Sequence, residues 1–124
     1  MLGEADVIAT VAVKDIEPAK KFYGETLGLE QVKEDNGVVT YQSGGSKMVV
    51  YAAPTGGSNQ ASSATWQVKD LKAIVTALAG KGIKFEHYDM PAVTMDGDIH
   101  VMGGSQASWF KDPDGNTLAL VSGS

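Results

Sequence analysis

A four-residue phrase occurs twice in this 124-residue chain and divides it into two similar halves. Val13-Lys14-Asp15-Ile16 returns 55 residues later as Val68-Lys69-Asp70-Leu71. Each copy follows an apolar, strand-like run and opens a helix-like segment that stops at a glycine, Gly28 or Gly82. A repeat with this spacing in a short chain indicates two copies of one supersecondary unit. Each position in one half therefore has an equivalent in the other.

Apolar periodicity and turn residues predict the same order of elements in both halves. We expect one α+β domain built from two βαβββ modules, module one over about 5–54 and module two over about 63–122. The polar segment 54–62 is predicted to be a flexible linker between them. The predicted strands are 7–13, 29–34, 37–43, 47–53, 63–68, 83–88, 98–102, 106–111 and 117–122, and the predicted helices follow Asp15 and Asp70.

Composition excludes several classes of function. The net charge of −5 argues against nucleic acid, which requires clustered lysine and arginine. The chain has no cysteine, so it has no disulfide, no thiolate metal site and no cysteine nucleophile. No apolar run approaches the length of a membrane span, and the first residues lack the pattern of a signal peptide. We therefore expect a cytoplasmic protein that does not enter a membrane.

One segment has no counterpart in the other half. Residues 89–105 form a long stretch between the matching elements of module two. Loops of this length in compact domains are usually functional or mobile. The alternative is that the segment covers an exposed sheet edge, and the residues do not decide between the two.

The motifs together resemble those of a known superfamily. They are V-x-D-[IL] before each helix, Phe22-Tyr23 followed by Leu27-Gly28-Leu29, and the hairpin Trp109-Phe110-Lys111-Asp112-Pro113-Asp114-Gly115-Asn116. The chain is similar in these to the vicinal oxygen chelate superfamily of glyoxalase I, bleomycin-resistance proteins, fosfomycin-resistance enzymes and extradiol dioxygenases. The resemblance implies that the two modules form a curved mixed sheet shaped like a cup. In the enzymes that the chain resembles, the cup holds a divalent metal through His or Gln of each first strand and Glu of each last strand. The resemblance therefore implies that the equivalent positions of this chain are the ones to compare.

This sequence departs from the metal-binding pattern of that superfamily. The first-strand positions correspond to Ile8 and Ser63, and the last-strand positions to Ala119 and to Val49 or Tyr51. Divalent cations require carboxylate, imidazole, thiolate or carbonyl ligands, which these residues do not supply. Neighbouring positions on the same strand faces offer no better set: Thr10, Tyr51, Thr65 and Val121. We predict that the usual metal centre is absent and that the protein has no cofactor.

Other residues that carry chemistry are few. The chain has two histidines, His87 and His100, which together with Asp89, Asp96 or Asp98 would make an unrelated site. Their spacing matches no compact metal motif, so a structural or surface role is the competing interpretation. Turn formation accounts for Asp112 and Asp114 without a catalytic role.

Strand alternation predicts which residues line the cup. Ile8, Thr10 and Ala12 should face it, while Ala9, Val11 and Val13 pack against the helix. The same parity directs Trp66 towards the helix. The predicted ligand-binding residues are Tyr41, Tyr51, Thr65, His87, His100, Met102 and Trp109. Aromatic walls with few polar groups suit a small-molecule pocket, although the same side chains would also serve to fill the cup.

Three functions are compatible with these residues. The first is a metal-independent protein of the bleomycin-resistance type that sequesters an aromatic or cationic antibiotic-like compound. The second is a lyase, isomerase or dioxygenase-type enzyme with an atypical site at His87 and His100. The third is an interaction module whose cup is merely packed core. The resemblance also implies a homodimer with pockets near its interface, and a small organic ligand as partner.

Overall fold

The computed structural model of the chain describes residues 1–123 and contains two β-sheets that carry helices on one side. The mixture of helices and strands confirms the predicted α+β class. None of the helices in the described residues is long and apolar enough to cross a membrane. The strands are β1 (Ala9–Val13), β2 (Glu30–Asp35), β3 (Val38–Ser43), β4 (Ser46–Ala52), β5 (Ser62–Gln67), β6 (Phe85–Glu86), β7 (Thr94–Asp96), β8 (Ile99–Met102), β9 (Ser105–Lys111) and β10 (Thr117–Gly123). The helices are a short 3-10 helix (Leu2–Glu4), α1 (Ile16–Lys20) with a π-helical continuation (Lys21–Thr26), and α2 (Leu71–Gly80).

The two sheets repeat one plan. The first has the strand order β1-β4-β3-β2, and β1 runs parallel to β4. The second has the order β5-β10-β9-β8-β7, and β5 runs parallel to β10 in the same way. Asp15 and Asp70 cap the helices, since each carboxylate accepts a backbone N–H of the first turn. The repeated phrase thus marks the same strand-to-helix junction in both modules.

Module two differs from the prediction along the outer edge of β9. The strand predicted over 83–88 is reduced to Phe85–Glu86, because β8 occupies the rest of the same β9 edge. The long segment 89–105 contains β7 as well as β8, and these pair as an antiparallel hairpin. The sequence did not predict β7, whose three residues are all exposed and carry no alternating apolar pattern.

The first helix is not a regular α-helix throughout. After Lys20 the backbone widens into a π-helical turn, in which the N–H of Leu27 donates to the carbonyl of Phe22 at 2.9 Å. This winding buries both Phe22 and Tyr23, whose rings meet edge to face at 5.2 Å. Gly28 then ends the helix with φ +76°, as predicted.

A buried carboxylate joins the two modules. Asp112, 5% exposed, accepts the hydroxyl of Tyr23 from the first helix at 2.8 Å. It also accepts the side-chain amide and the backbone N–H of Asn116, each at 2.8 Å, and the backbone N–H of Asp114 at 3.0 Å. The Asn116 amide continues to the carbonyl of Ala12 in β1, at 2.7 Å. The final hairpin therefore fixes module two onto the helix and first strand of module one.

The segment predicted as a flexible linker is anchored at its centre. Gly56 is buried, and a Cβ there would lie 2.5 Å from Val13 Cα and 2.6 Å from Lys14 N. Gly57, with φ +80°, would place a Cβ against the carbonyl of Asp114. Both glycines are required because backbone from either module approaches too closely for any side chain.

Alkaline pH should weaken the fold through Tyr23. Burial raises the pKa of Tyr23 far above its usual value, and the negative charge of Asp112 raises it further. In the unfolded chain this tyrosine loses its proton near pH 10, while in the folded chain it keeps it. The contribution of Tyr23 to stability is therefore complete below pH 10 and declines above it, by about 1.4 kcal/mol per pH unit.

Urea unfolding of the wild type and of Tyr23→Phe across this pH range tests the expectation. The variant should be less stable at neutral pH and should lose stability less steeply above pH 10. Parallel pH profiles for the two proteins would contradict it.

Candidate functional site

The surface opposite the helices, here called the cup face, is defined by strand alternation. Val11 in β1 and Val50 in β4 are buried on the helix side, as predicted for β1. Thr10 and its β4 partner Val49 therefore lie on the cup face. By the same reasoning Leu118 and Leu120 of β10 are buried on the helix side, and the intervening Ala119 lies on the cup face.

The equivalent metal-ligand positions of the two modules do not suit a cation. The predicted positions are Ile8 and Ser63 in the first strands, and Ala119 and Val49 or Tyr51 in the last strands. In the structure Val49 pairs with the neighbouring Thr10, and Ala119 with the neighbouring Thr65. Ile8 lies just before β1 and is 46% exposed. Alkyl groups donate no electron pair to a metal, and neutral hydroxyls are weak ligands for divalent ions. Across residues 1–123, no group of three or more His, Asp or Glu side chains is placed to hold a metal ion.

An aromatic cluster, formed by Tyr88, His100 and Trp109, lies on the cup face of module two. Trp109 and Ala107 alternate with buried Phe110 and Ser108 in β9, and His100 is the cross-strand partner of Ala107. The His100 ring meets Trp109 edge to face at 4.8 Å, and Tyr88 meets Trp109 at 5.3 Å. Tyr88 remains 37% exposed, so the cluster presents a ring to solvent.

Hydrogen bonding fixes the tautomer of His100. The backbone N–H of Tyr88 donates to Nε2 of His100 at 2.9 Å, so this nitrogen carries a lone pair. In the neutral ring the proton therefore resides on Nδ1. That Nδ1 is fully buried and has no hydrogen-bond partner in the described part of the chain. His100 thus positions Tyr88 and is shielded from solvent.

His87 and Asp98 form a pair at the margin of the cluster. Nε2 of His87 lies 2.7 Å from Oδ1 of Asp98, and the two side chains are 53% and 38% exposed. The His87 ring also meets His100 edge to face at 6.3 Å. A histidine oriented by a carboxylate is chemically suited to accept or donate a proton.

The surroundings of the cluster are acidic. Glu86 is the cross-strand partner of Trp109 and so lies on the same face. Burial raises the pKa of Tyr88, and the nearby Glu86 carboxylate raises it further. A carboxylate beside exposed aromatic rings favours a ligand with positive charge.

The structure brings three of the predicted residues together and separates others. His87, His100 and Trp109 meet through ring contacts, whereas Thr65 and Tyr51 share the cup face on other strands. Met102 follows His100 by two positions in β8 and so points to the same face. Trp66 lies on the helix side as predicted, and its Nε1 donates to Ser43 Oγ at 3.1 Å.

The predicted position of Tyr41 in the cup is wrong. Tyr41 is 1% exposed in the core, where its ring lies 6.2 Å from that of Tyr23. The tight turn pairs Ser43 with Ser46, so Tyr41 pairs with buried Met48 and shares its face. Counting back from that turn would have revealed this parity in the sequence.

Sequence reasoning missed Tyr88 and Glu86 as parts of the site, and it did not single out Asp98 from the other acidic residues. Tyr88 follows Glu86 by two positions, and strand alternation would have placed both beside Trp109 had the pairing of β6 with β9 been recognised. Asp98 had been grouped with the histidines only as one of several acidic residues. In the structure Asp98 is the acidic residue of this group that contacts His87, because the backbone of the 89–98 segment turns back towards that histidine.

Comparison with known proteins identifies the family. No curated protein sequence matches this chain. Many solved structures share its fold, among them the following three. The antibiotic binding protein TnmS3 from a Streptomyces species is 24% identical, with a TM-score of 0.71 over 94% of this chain and 93% of that one. Lactoylglutathione lyase from Agrobacterium tumefaciens is 20% identical, with a TM-score of 0.71 over 96% and 93%. A superfamily member from Sphaerobacter thermophilus is 27% identical, with a TM-score of 0.65 over 93% and 94%.

A sequence model of one protein family matches both modules. This family, the Glyoxalase/Bleomycin resistance protein/Dioxygenase superfamily, matches residues 6–120. That range includes both copies of the repeated phrase, both helices and most of the final hairpin. The chain therefore belongs to the Glyoxalase/Bleomycin resistance protein/Dioxygenase superfamily.

Proposed function

We propose that this protein binds a small aromatic compound on the cup face without a metal, and holds it rather than converting it. The observation that carries the proposal is the aromatic cluster, which presents the Tyr88 ring to solvent beside the Glu86 carboxylate. Aromatic rings stack on planar ligands, and a carboxylate adds attraction for a cationic one. The ligand is an aromatic, preferably cationic, antibiotic-like molecule.

Two further facts support binding over metal-dependent catalysis. The positions that would hold a metal carry Ile8, Ser63, Ala119 and Val49 or Tyr51, all of them uncharged, and Ala119 pairs directly with Trp109 of the cluster. The fold is also shared with a protein whose structure is described as antibiotic binding. We extend that description to this chain as part of the proposal.

We further propose that a second copy of the chain completes the cup. Large apolar side chains remain exposed on or beside the cup face, among them Ile8, Val38 and Met95, which are 46%, 40% and 38% exposed. Such surface commonly marks an interface or a ligand site. Sedimentation equilibrium should give twice the chain mass, and a monomer at micromolar concentration would contradict this part of the proposal.

The two tryptophans allow a direct test of ligand binding. Trp109 lies on the cup face and Trp66 on the helix side, and the chain has no other tryptophan. In Trp66→Phe, proflavine, a planar aromatic cation, should quench the remaining Trp109 emission saturably. In Trp109→Phe the same titration should leave Trp66 emission nearly unchanged. Equal quenching in both variants would place the ligand elsewhere or show collisional quenching only.

Glu86 supplies the test of charge recognition. Glu86→Gln should weaken proflavine binding about three- to tenfold, which corresponds to a partly exposed ion pair. Glu25→Gln removes an exposed carboxylate from the π-helical turn and serves as the matched control. If both variants bind equally, Glu86 has no role in recognition. A ligand that stabilises the folded state should also raise the melting temperature.

The His87–Asp98 pair favours one alternative, an enzyme with an atypical site. An exposed imidazole held 2.7 Å from a carboxylate is arranged as a general base. Mass spectrometry of the bound compound after prolonged incubation decides between the functions. Unchanged ligand supports binding alone. Product that disappears in His87→Gln would support catalysis, and stoichiometric metal lost in that variant would overturn metal independence.

A further inference from the structure

A cavity lies on the opposite side of the sheets from the aromatic cluster. It is a groove of about 320 Å³ between α2 and the end of the first helix. Its floor is formed by Trp66, Phe110 and Leu120, on the helix side of β5, β9 and β10. The groove therefore spans the junction of the two modules, and it shares no lining residue with the proposed cup site.

The walls of the groove are apolar and incompletely covered. Leu27, Leu29 and Trp66 are only partly buried, and Ile74 of α2 is 38% exposed. Ala77 of α2 lines the groove, and a larger side chain at this position would fill part of it. The helix α2 packs on the sheet through Leu71, Val75 and Leu78. The exposed residues that line the groove are therefore not needed to hold α2 on the sheet.

Two polar side chains at the groove, Lys81 and Ser43, have hydrogen-bond donors available for a ligand. The ammonium of Lys81 donates to the Thr26 carbonyl at 3.1 Å and has two further protons. No carboxylate within residues 1–123 forms an ion pair with it. Trp66 Nε1 donates to Ser43 Oγ at 3.1 Å, and within residues 1–123 the Ser43 hydroxyl donates to no other group. A cation and a hydroxyl donor at an apolar groove complement an anionic head on an apolar body.

We propose that this groove binds an anionic amphiphile, a small carboxylic acid with an alkyl or aryl body. The body would contact the partly exposed Leu27, Trp66 and Ile74, and the carboxylate would receive hydrogen bonds from Lys81 and Ser43. The volume lies at the lower end of the usual range for small-molecule sites, which suits a chain of about ten carbons. This site is independent of the proposed cup function, because it lies on the other face and selects the opposite charge.

The probe is sodium decanoate below its critical micelle concentration, with 1-decanol as the neutral analogue. Trp109→Phe leaves Trp66 as the only tryptophan, so its emission reports on the groove. Decanoate should shift that emission saturably and raise the melting temperature. Lys81→Gln should weaken decanoate about three- to tenfold while leaving decanol unchanged. Ala77→Leu should abolish binding of both by filling the groove.

Lys72→Gln is the matched control, since Lys72 is exposed in α2, the helix that ends just before Lys81, but does not line the groove. Decanoate binding weakened in Lys81→Gln, retained in Lys72→Gln and lost in Ala77→Leu supports the proposal. Absence of a saturable response overturns it. Equal affinity in the two lysine variants, or full binding in Ala77→Leu, overturns it as well. Circular dichroism of each variant verifies that all remain folded.

Discussion

Asp112→Ala should destabilise the protein by about 3–5 kcal/mol, the cost expected when one partner of a buried charged network is removed. Four hydrogen-bond donors converge on this carboxylate: the Tyr23 hydroxyl, two groups of Asn116 and the N–H of Asp114. Alanine would leave them buried without an acceptor, and each such group costs about 1–3 kcal/mol, although these costs are not additive. Since a domain of this size has about 5–15 kcal/mol in total, the variant should lie near the limit of folding.

Urea unfolding followed by tryptophan fluorescence measures this effect. Asp70→Ala is the control, because it removes a carboxylate that caps α2 at an exposed position and should cost only about 1 kcal/mol. Tyr23→Phe should cost an intermediate amount, about 1.5–3 kcal/mol, since it removes a single bond to the charged group. A similar loss for Asp112→Ala and Asp70→Ala would contradict a structural role of the network between the modules.

Gly56→Ala should cost at least about 3 kcal/mol or prevent folding altogether, because the added methyl group has no space to enter. The nearest atoms belong to backbone of Val13 and Lys14, so no side-chain rotation relieves the overlap. The same backbone is bound just before the segment by the N–H of Ala53, which donates to the Val13 carbonyl at 2.8 Å. Relief would therefore require separation of the linker from β1.

Gly45→Ala is the matched control for this substitution. Gly45 lies in the exposed turn between β3 and β4, its φ is not positive, and a Cβ there would meet nothing within 4 Å. Its effect should stay within about 1 kcal/mol. Thermal and urea unfolding of the two variants compare them directly. If Gly56→Ala were as stable as Gly45→Ala, the linker would not be anchored as described.

The helix starts, the helix end at Gly28 and the final hairpin turn could be predicted from local sequence. The repeated phrase predicted two strand-to-helix junctions, and the capping bonds of Asp15 and Asp70 confirm both. Positive φ at Gly28 and at Gly115 agrees with the predicted helix end and hairpin turn. These features depend on hydrogen bonds and dihedral angles within a few residues, which residue type alone largely determines.

The candidate site was predictable only in part. Parity placed Thr10 and Thr65 on the cup face, because alternation within one strand needs no knowledge of its partner. Tyr41 was misplaced because its face follows from the register of β3 against β4, which the tight turn between Ser43 and Ser46 sets and which alternation within β3 alone does not give. The contact between Tyr88 and Trp109 depends on the two-residue pairing of β6 with β9, which no local pattern indicates.

By itself the sequence determined the two-module plan, the turns, the caps and the residue types at the equivalent metal-ligand positions, since these follow from spacing and local chemistry. Only the tertiary structure decided which distant side chains meet. Tyr23 reaches Asp112 across 89 positions, and His87, His100 and Trp109 converge from three segments. The physical reason is that such contacts are set by strand register and backbone path, which arise when the whole chain packs.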